Sequence, residues 1–310
     1  MGYDIIGDIH GYADTLEELL GRLGYEKSEG TFQHPERRVI FVGDFVDRGP
    51  KIRETLHLVR AMVDGGSALA VMGNHELNAI FYHHRGPDGR PLRLHTESNQ
   101  RQHRATLDQL AVPHPREWAE WLEWFKTLPF YLDLGNLRVV HAAWKQESID
   151  FVKGASLRDS VFLQAAAIRG LPEYEAIETL LKGVEMDLPE GVFYADKEGH
   201  RRHRIRVRWF GHGVENYAPT YPELVLPASD DLPEMEVAAE RLAELPNYPA
   251  EAPPVFFGHY WLPASHRACL APNAACVDFS VAKAGGALAA YRWDGESVLE
   301  EGKVVKVERR

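Results

Sequence analysis

The chain has 310 residues, 45% of them hydrophobic, and a formal net charge of −11 at neutral pH. No run of about 18 apolar residues occurs, so no membrane span and no membrane partner are expected. The acidic balance argues against a generic nucleic-acid footprint without excluding a local basic site. Only two cysteines, Cys269 and Cys276, are present, too few for a disulfide framework, so reduced thiols are expected. Met1 leads straight into Tyr3-Asp4-Ile5-Ile6, so no signal peptide is expected, and the reduced thiols make a cytoplasmic home the expectation.

Asp4-Ile5-Ile6 reads as a first short strand. Leu16, Leu19, Leu20 and Leu23 then recur at i, i+3, i+4 and i+7, predicting a helix with Asp14 or Thr15 as N-cap and Gly24 as stop. Residues 38–42 form a β-branched apolar run, a buried strand. Ile52, Leu56, Val59 and Val63 repeat the helical spacing up to Gly65-Gly66. Further strands are predicted at 68–72, 137–140 and 255–257. Trp118, Trp121, Leu122 and Phe125 mark the buried stripe of a helix within 115–128, and 157–183 reads as mostly helical. Residues 218–254 hold eight prolines around one short helix near 234–244, which favours a surface excursion or lid over a sheet element. Strand character returns at 274–281, 286–293 and 303–308, with Asp294-Gly295 as a hairpin turn signal. Strand–helix–strand alternation in the first half implies parallel pairing with right-handed crossovers.

The chemistry lies at the ends of the apolar runs. Ile5-Ile6 leads into Gly7-Asp8-Ile9-His10-Gly11, and 39–42 into Gly43-Asp44-Phe45-Val46-Asp47-Arg48-Gly49. The run 68–72 leads into Gly73-Asn74-His75-Glu76, 137–140 into His141, and 255–257 into Gly258-His259. In parallel α/β sheets ligands bind beyond the carboxyl ends of strands. A glycine there lets the backbone turn sharply and leaves room for an ion. Each motif alone is weak: a lone Gly-Asp is usually a turn, and a lone strand-end histidine is usually structural. Five in register are a stronger signal, because buried Asp and His without compensation cost several kcal/mol and a shared cation removes that cost. Oxygen and imidazole donors suit hard or borderline dications.

This series of motifs resembles the calcineurin-like metallophosphoesterases. Within them it is similar to the phosphoprotein-phosphatase branch, which includes serine/threonine phosphatases and the bacterial symmetrical diadenosine tetraphosphatase. The likeness runs through residues 1–145 and more loosely through 255–295. It implies an α/β fold of metallophosphatase type, a β-sandwich of two mixed sheets flanked by helices in α-β-β-α layers. It implies a single catalytic domain over 1–310, including a helical, Pro-rich insertion or lid at about 145–254. The expected cofactors are two divalent metal ions, Mn²⁺ foremost, with Fe, Zn²⁺ or Ni²⁺ as alternatives that availability decides. By the resemblance, Asp8 and His10 would hold the first metal, Asp44 would bridge both, and Asn74, His141 and His259 would hold the second. Arg48 would clamp a substrate phosphate with its planar fork. His75, oriented by Asp47, would protonate the leaving oxygen. General chemistry agrees: two metals about 3.5–4 Å apart suit in-line displacement at phosphorus and can acidify a bridging water into the nucleophile. A histidine with a carboxylate partner suits general-acid work near neutral pH.

The sequence also departs from the pattern. Serine/threonine phosphatases usually carry His-Gly-Gly in the fourth motif, where this chain has His141-Ala142-Ala143. Family members often supply a second phosphate-binding arginine from mid-chain. Arg204, Arg206 and Arg208 alternate with Ile205, Val207 and Trp209 on one strand face, and Arg206 is the candidate. His212 mimics the last ligand motif and competes with His259, which comes after the better buried strand. His83, His84, Arg85, His95 and His103 read as loop surface or as the lining of a substrate entrance.

The expected activity is hydrolysis of phosphomonoesters, on a phosphoprotein or a small phosphorylated metabolite. One alternative is a dinucleoside polyphosphate hydrolase, with Tyr82, Trp144, Tyr260 and Trp261 as candidate base platforms. Another is a nucleic-acid end phosphatase using the arginine-rich 201–208. A non-catalytic scaffold would have lost ligands, and none is lost. Oligomeric state is not readable from the sequence.

Overall fold

The computed structural model describes residues 1–28, 30–195, 201–211, 219–227 and 232–309. Among them, the larger sheet has six strands in the order Asp278–Phe279, Ala287–Trp293, Gly2–Ile6, Arg37–Phe41 and Ala68–Ala70, with Val304–Glu308 added alongside Ala287–Trp293. Gly2–Ile6, Arg37–Phe41 and Ala68–Ala70 run parallel, Ile5 opposite Ile40 and Ile40 opposite Leu69. Ala287–Trp293 joins them antiparallel. The second sheet has five strands, Cys269–Ala271, Ala274–Cys276, Val255–Phe257, Arg138–Val140 and Tyr131–Asp133, of which the central three run parallel.

Successive side chains on a strand face opposite ways, and that alternation builds the layers. Ile5, Ile40 and Val42 share one apolar cluster with Val139, Phe256, Ala275 and Val277, the seam between the two sheets. The opposite faces, Ile6, Val39 and Phe41 in the first sheet and Val140, Val255 and Phe257 in the second, join the cluster that takes in the helices. Leu16, Leu19, Leu20 and Leu23 of helix Ala13–Leu23 and Ile52, Leu56 and Val59 of helix Ile52–Asp64 lie in that cluster, as do Ile177, Leu180 and Leu181 of helix Pro172–Lys182. The layering is the α-β-β-α sandwich of mixed sheets expected.

Several local readings change. Helix Ala13–Leu23 starts earlier than predicted, with Tyr12 rather than Asp14 or Thr15 at the N-cap and no side-chain cap bond; Gly24, at φ 88°, ends it as expected. The strand predicted over 68–72 stops at Ala70, because the chain must turn into helix Asn74–His83. Asp294-Gly295 is not a two-residue hairpin: Tyr291 already faces Val304, so the connection runs through 294–303 and a 3₁₀ turn at Glu301–Lys303. The helix near 234–244 is confined to Ala239–Ala243, and a second short one at Tyr221–Leu224 is closed by a Thr220–Glu223 capping box. Helix Glu97–Thr106 has no apolar periodicity to betray it. Thr96 caps it, its hydroxyl accepting from Asn99 N. No described helix is long and apolar enough to cross a membrane, and Cys269 and Cys276 are both free.

Candidate metal centre

The five motif loops leave the carboxyl ends of Gly2–Ile6, Arg37–Phe41, Ala68–Ala70, Arg138–Val140 and Val255–Phe257, and their side chains meet on one side of the two sheets. Asp8, His10, Asp44, Asn74, His75, His141 and His259 are all buried. Two groups of donors have their ligand atoms within 4.8 Å of one another: His10, Asp44 and His75, and Asp44, His141 and His259. Asp44 is common to both. Asn74 Oδ1 completes the second group, 3.0 Å from His141 Nε2 and 2.8 Å from His259 Nδ1.

The proton positions favour a cation. His10 Nδ1 donates to the Val46 carbonyl at 3.0 Å, and His141 Nδ1 donates to the Val42 carbonyl at 2.7 Å. Each ring therefore turns a lone pair inward at Nε2, the arrangement in which backbone carbonyls fix a ligating imidazole. His10 Nε2, Asp8 Oδ1 and His259 Nε2 are buried without a hydrogen-bond partner among the described residues. Buried orphans of this kind cost free energy unless something satisfies them.

Charge points the same way. Burial, then Asp278 and Asp44, push the Asp8 carboxyl well above its usual range. Burial, then His75, lowers His10 to about 3, and burial, then Arg206 and His141, holds His259 well below the usual imidazole range. Burial works upward on Asp44, but His141, His75 and His10 together keep it below the usual carboxylate range. Imidazoles, an amide oxygen and crowded carboxylates make a donor set that fits divalent cations. The grouping differs from the expected one at one position: His75, not Asp8, falls in the first cluster. His75 Nδ1 is committed to Asp47 Oδ2 at 2.5 Å, and its Nε2 stands 3.9 Å from Asp44 and 3.3 Å from Arg48 Nη2. Asp8 keeps a free oxygen while its other one accepts from His259 N at 3.0 Å.

Glycines and strain shape the loops. A Cβ at Gly73 would lie 2.2 Å from Asp44 Oδ1, so only glycine admits the carboxylate there. His10, Asp44, Asp47, Arg48, His259 and Trp261 all have φ between 47° and 73°, each a strain of about 1–3 kcal/mol that persists only where surrounding bonds over-determine it. Glu76 supplies part of that restraint, accepting from Asp44 N (2.8 Å), Phe45 N (2.8 Å), Val46 N (3.3 Å) and Gly73 N (3.0 Å). Burial and Asp44 raise its carboxyl to about 7 against the Phe45 and Asp44 N–H groups and His75.

The remaining candidates sort clearly. The Arg48 guanidinium lies over Trp261, its carbon 3.8 Å from the ring centroid, with Lys283 Nζ 4.2 Å from the same ring. Arg206 and Arg204 are exposed on strand Arg204–Val207, alternating with buried Ile205 and Val207. Arg204 pairs with Glu185 and Asp187, and Arg208 reaches the Leu270 carbonyl. Among the described residues no hydrogen bond or ion pair engages the Arg206 guanidinium, whose charge is felt by His259 and Tyr260. His212 lies outside the described residues. Three proposed base platforms, Tyr82, Trp144 and Tyr260, are core residues, and Trp261 alone stays half-buried. His103 is neither surface nor entrance: it is 5% exposed and bonds Asp47. His95 stacks on Tyr82 with ring centroids 3.7 Å apart. At the Ala142-Ala143 departure, Ala142 N donates to the Leu180 carbonyl at 2.9 Å and its carbonyl accepts from Trp209 Nε1, so Leu180 and Trp209 are tied to this backbone.

Sequence reasoning missed Asp278 and Thr106, gave Glu76 no role and assigned His103 to surface or entrance. Asp278 ends the apolar run Ala274–Val277 just as the other site carboxylates end theirs, and its oxygens accept from Trp261 N at 2.6 Å and Ser280 N at 2.9 Å. That run carried the same strand-end signal.

Residues 1–224 match the family described as calcineurin-like phosphoesterase. An asymmetrical bis(5'-nucleosyl)-tetraphosphatase, PrpE, from Oceanobacillus iheyensis is 35% identical over 146 residues, 46% of this chain and 55% of that protein. A symmetrical bis(5'-nucleosyl)-tetraphosphatase from Aromatoleum aromaticum is 33% identical over 137 residues, 44% of this chain and 42% of that one. The chain thus spans about half the length of these curated relatives. Among solved structures, a protein serine/threonine phosphatase from Saccharomyces cerevisiae superimposes with a TM-score of 0.50 at 15% identity, covering 100% of this chain and 80% of that one, a likeness of fold.

Proposed function

The chain belongs to the calcineurin-like phosphoesterase family, and from that premise we propose that it hydrolyses phosphomonoesters, on a phosphoprotein or a small phosphorylated metabolite, at a dinuclear metal centre. The observation that carries this reading is the pair of buried donor groups sharing Asp44, beside an arginine and a carboxylate-bound histidine. Asp8, His10 and Asp44 would hold one divalent ion and Asp44, Asn74, His141 and His259 the other, with Mn²⁺ the first candidate. When bound, such a pair supplies Lewis-acid charge for phosphoryl oxygens and acidifies water.

The chain's own residues do the rest. Arg48, held against Trp261, would present its fork to the phosphate, and Arg206, whose charge reaches His259, would add a second cationic contact. His75 keeps Nδ1–H on Asp47 and aims Nε2 at the departing oxygen; burial works against its protonation, but Asp44 and Asp47 outweigh it and raise its pKa. The segment 145–254, tied to Ala142 through Leu180 and Trp209, would act as an insertion that shapes access from one side.

A second reading, cleavage of dinucleoside polyphosphates, is favoured by the names of the relatives that match 46% and 44% of the chain. Turnover of 4-nitrophenyl phosphate, bis(4-nitrophenyl) phosphate and diadenosine tetraphosphate, each with Mn²⁺ and with a chelator, separates the two. Metal-dependent hydrolysis favouring the monoester supports the proposal. Preference for the dinucleotide replaces it with the second reading.

A further inference from the structure

Asp47 sits in a left-handed backbone conformation (φ 68°), so its side chain is not placed by ordinary local geometry. Its two oxygens have separate duties. Oδ2 accepts from His75 Nδ1 at 2.5 Å. Oδ1 accepts from His103 Nδ1 at 2.8 Å and from the Thr106 hydroxyl at 2.6 Å, and the same hydroxyl oxygen accepts from Asp47 N at 3.0 Å. His103 and Thr106 lie three residues apart on helix Glu97–Thr106, on one face. Three residues further on, in the π-helical turn Leu107–Ala111, Gln109 accepts from Ile52 N at 2.9 Å and donates to the Gly49 carbonyl at 2.8 Å. Helix Glu97–Thr106, which has no apolar stripe, and the turn that follows it thus hold the 47–52 loop at three successive points. π-turns of this kind recur at functional sites.

With Nδ1 of His103 on Asp47, its Nε2 faces His83 Nε2 3.2 Å away. Burial, then His103 and His95, lower His83 to about 4, so it is neutral in this contact. Tyr82 and Trp118 pack against the His103 ring. Both oxygens of Asp47 and both ring nitrogens of His103 are committed.

We infer that His103 and Thr106 are positioning residues for proton donation: they fix the Asp47 carboxylate so that His75 meets the leaving oxygen, and they act on the reaction through Asp47 alone. The inference rests on the proposed acid role of His75. A structural prop would affect all substrates alike, whereas a positioning residue matters most where the leaving group needs a proton. The test compares kcat and KM for phenyl phosphate, a poor leaving group, and 4-nitrophenyl phosphate, a good one, in Thr106→Val, His103→Gln, Thr106→Ser and His75→Ala, with bound metal and thermal midpoint measured on each.

In Thr106→Val and His103→Gln the ratio of kcat for phenyl phosphate to kcat for 4-nitrophenyl phosphate falls at least about tenfold, as expected when a general acid is misplaced. KM and metal content hold, and Thr106→Ser keeps the parent ratio. An unchanged ratio in both variants, with a lowered one in His75→Ala, overturns the inference while leaving the acid role standing. An unchanged ratio in His75→Ala refutes the acid role and the inference with it. Should His103→Gln fold poorly, the near-isosteric Thr106→Val decides alone.

Discussion

Gly258 offers a perturbation whose size can be read from the coordinates. A Cβ added there would lie 2.0 Å from Asp8 Oδ1 and 2.8 Å from Val42 Cγ2, where real Cβ contacts essentially never fall under 3.0 Å. Asp8, or the backbone carrying His259, must therefore move by at least about 1 Å, the difference between 3.0 Å and 2.0 Å. The backbone at Gly258 is not left-handed, so the penalty of Gly258→Ala is steric and falls on the proposed ligand directly. A displacement of that size near reacting atoms costs about 10²-fold in rate. The over-packing itself costs about 1–3 kcal/mol of stability. The expected outcome is a kcat/KM about 100-fold lower, weakened metal retention on dialysis and a modestly lower urea midpoint. Gly21→Ala is the control: it lies in helix Ala13–Leu23 with nothing within 4 Å of its added Cβ, and should gain about 0.5–1 kcal/mol with unchanged activity. Parent-like kcat/KM and metal content in Gly258→Ala would refute the placement of Asp8 in the centre.

Asp44→Asn should abolish turnover and lower bound metal, since Asp44 belongs to both donor groups, whereas His75→Ala should keep its metal and lose about 10²–10⁴-fold in kcat on poor leaving groups; metal analysis beside steady-state kinetics checks both. Arg206→Ala should raise KM for phosphoesters while Arg204→Ala, whose guanidinium is committed to Glu185 and Asp187, should not. Arg37→Leu should cost stability alone. It removes a 2.9 Å bond to the wholly buried Asp4, leaving Tyr25 at 3.0 Å and Arg292 at 3.3 Å as its remaining partners. A loss of about 3 kcal/mol in urea unfolding is expected, with kcat per folded molecule unchanged.

The parallel strands and the residues at their ends were legible because their apolar runs are continuous and their ligand types are rare beside such runs. The Leu16-to-Leu23 and Ile52-to-Val63 helices were legible for the complementary reason, a strict apolar stripe. Helix Glu97–Thr106 escaped because polar bonds rather than an apolar face hold it, and polar side chains such as Gln102, His103 and Thr106 read as loop when only periodicity is considered. His103 was accordingly assigned to surface or entrance, although it lies beneath Asp47. The 294–303 connection escaped because Asp-Gly signals a turn without saying how soon the next strand pairs. Arg206 stands apart from Arg204 and Arg208 only in space, through the ion pairs and carbonyl contact that occupy its neighbours.

The proposed function requires two divalent ions that share Asp44. Its most direct test is metal stoichiometry measured beside turnover: the chain is stripped with chelator, titrated with Mn²⁺, and monitored by calorimetry and by 4-nitrophenyl phosphate hydrolysis on the same samples. Two ions should bind per chain, activity should rise only as the second site fills, and both should be lost in Asp44→Asn. Full turnover in the stripped chain, or full activity at one ion per chain, would contradict the proposed function.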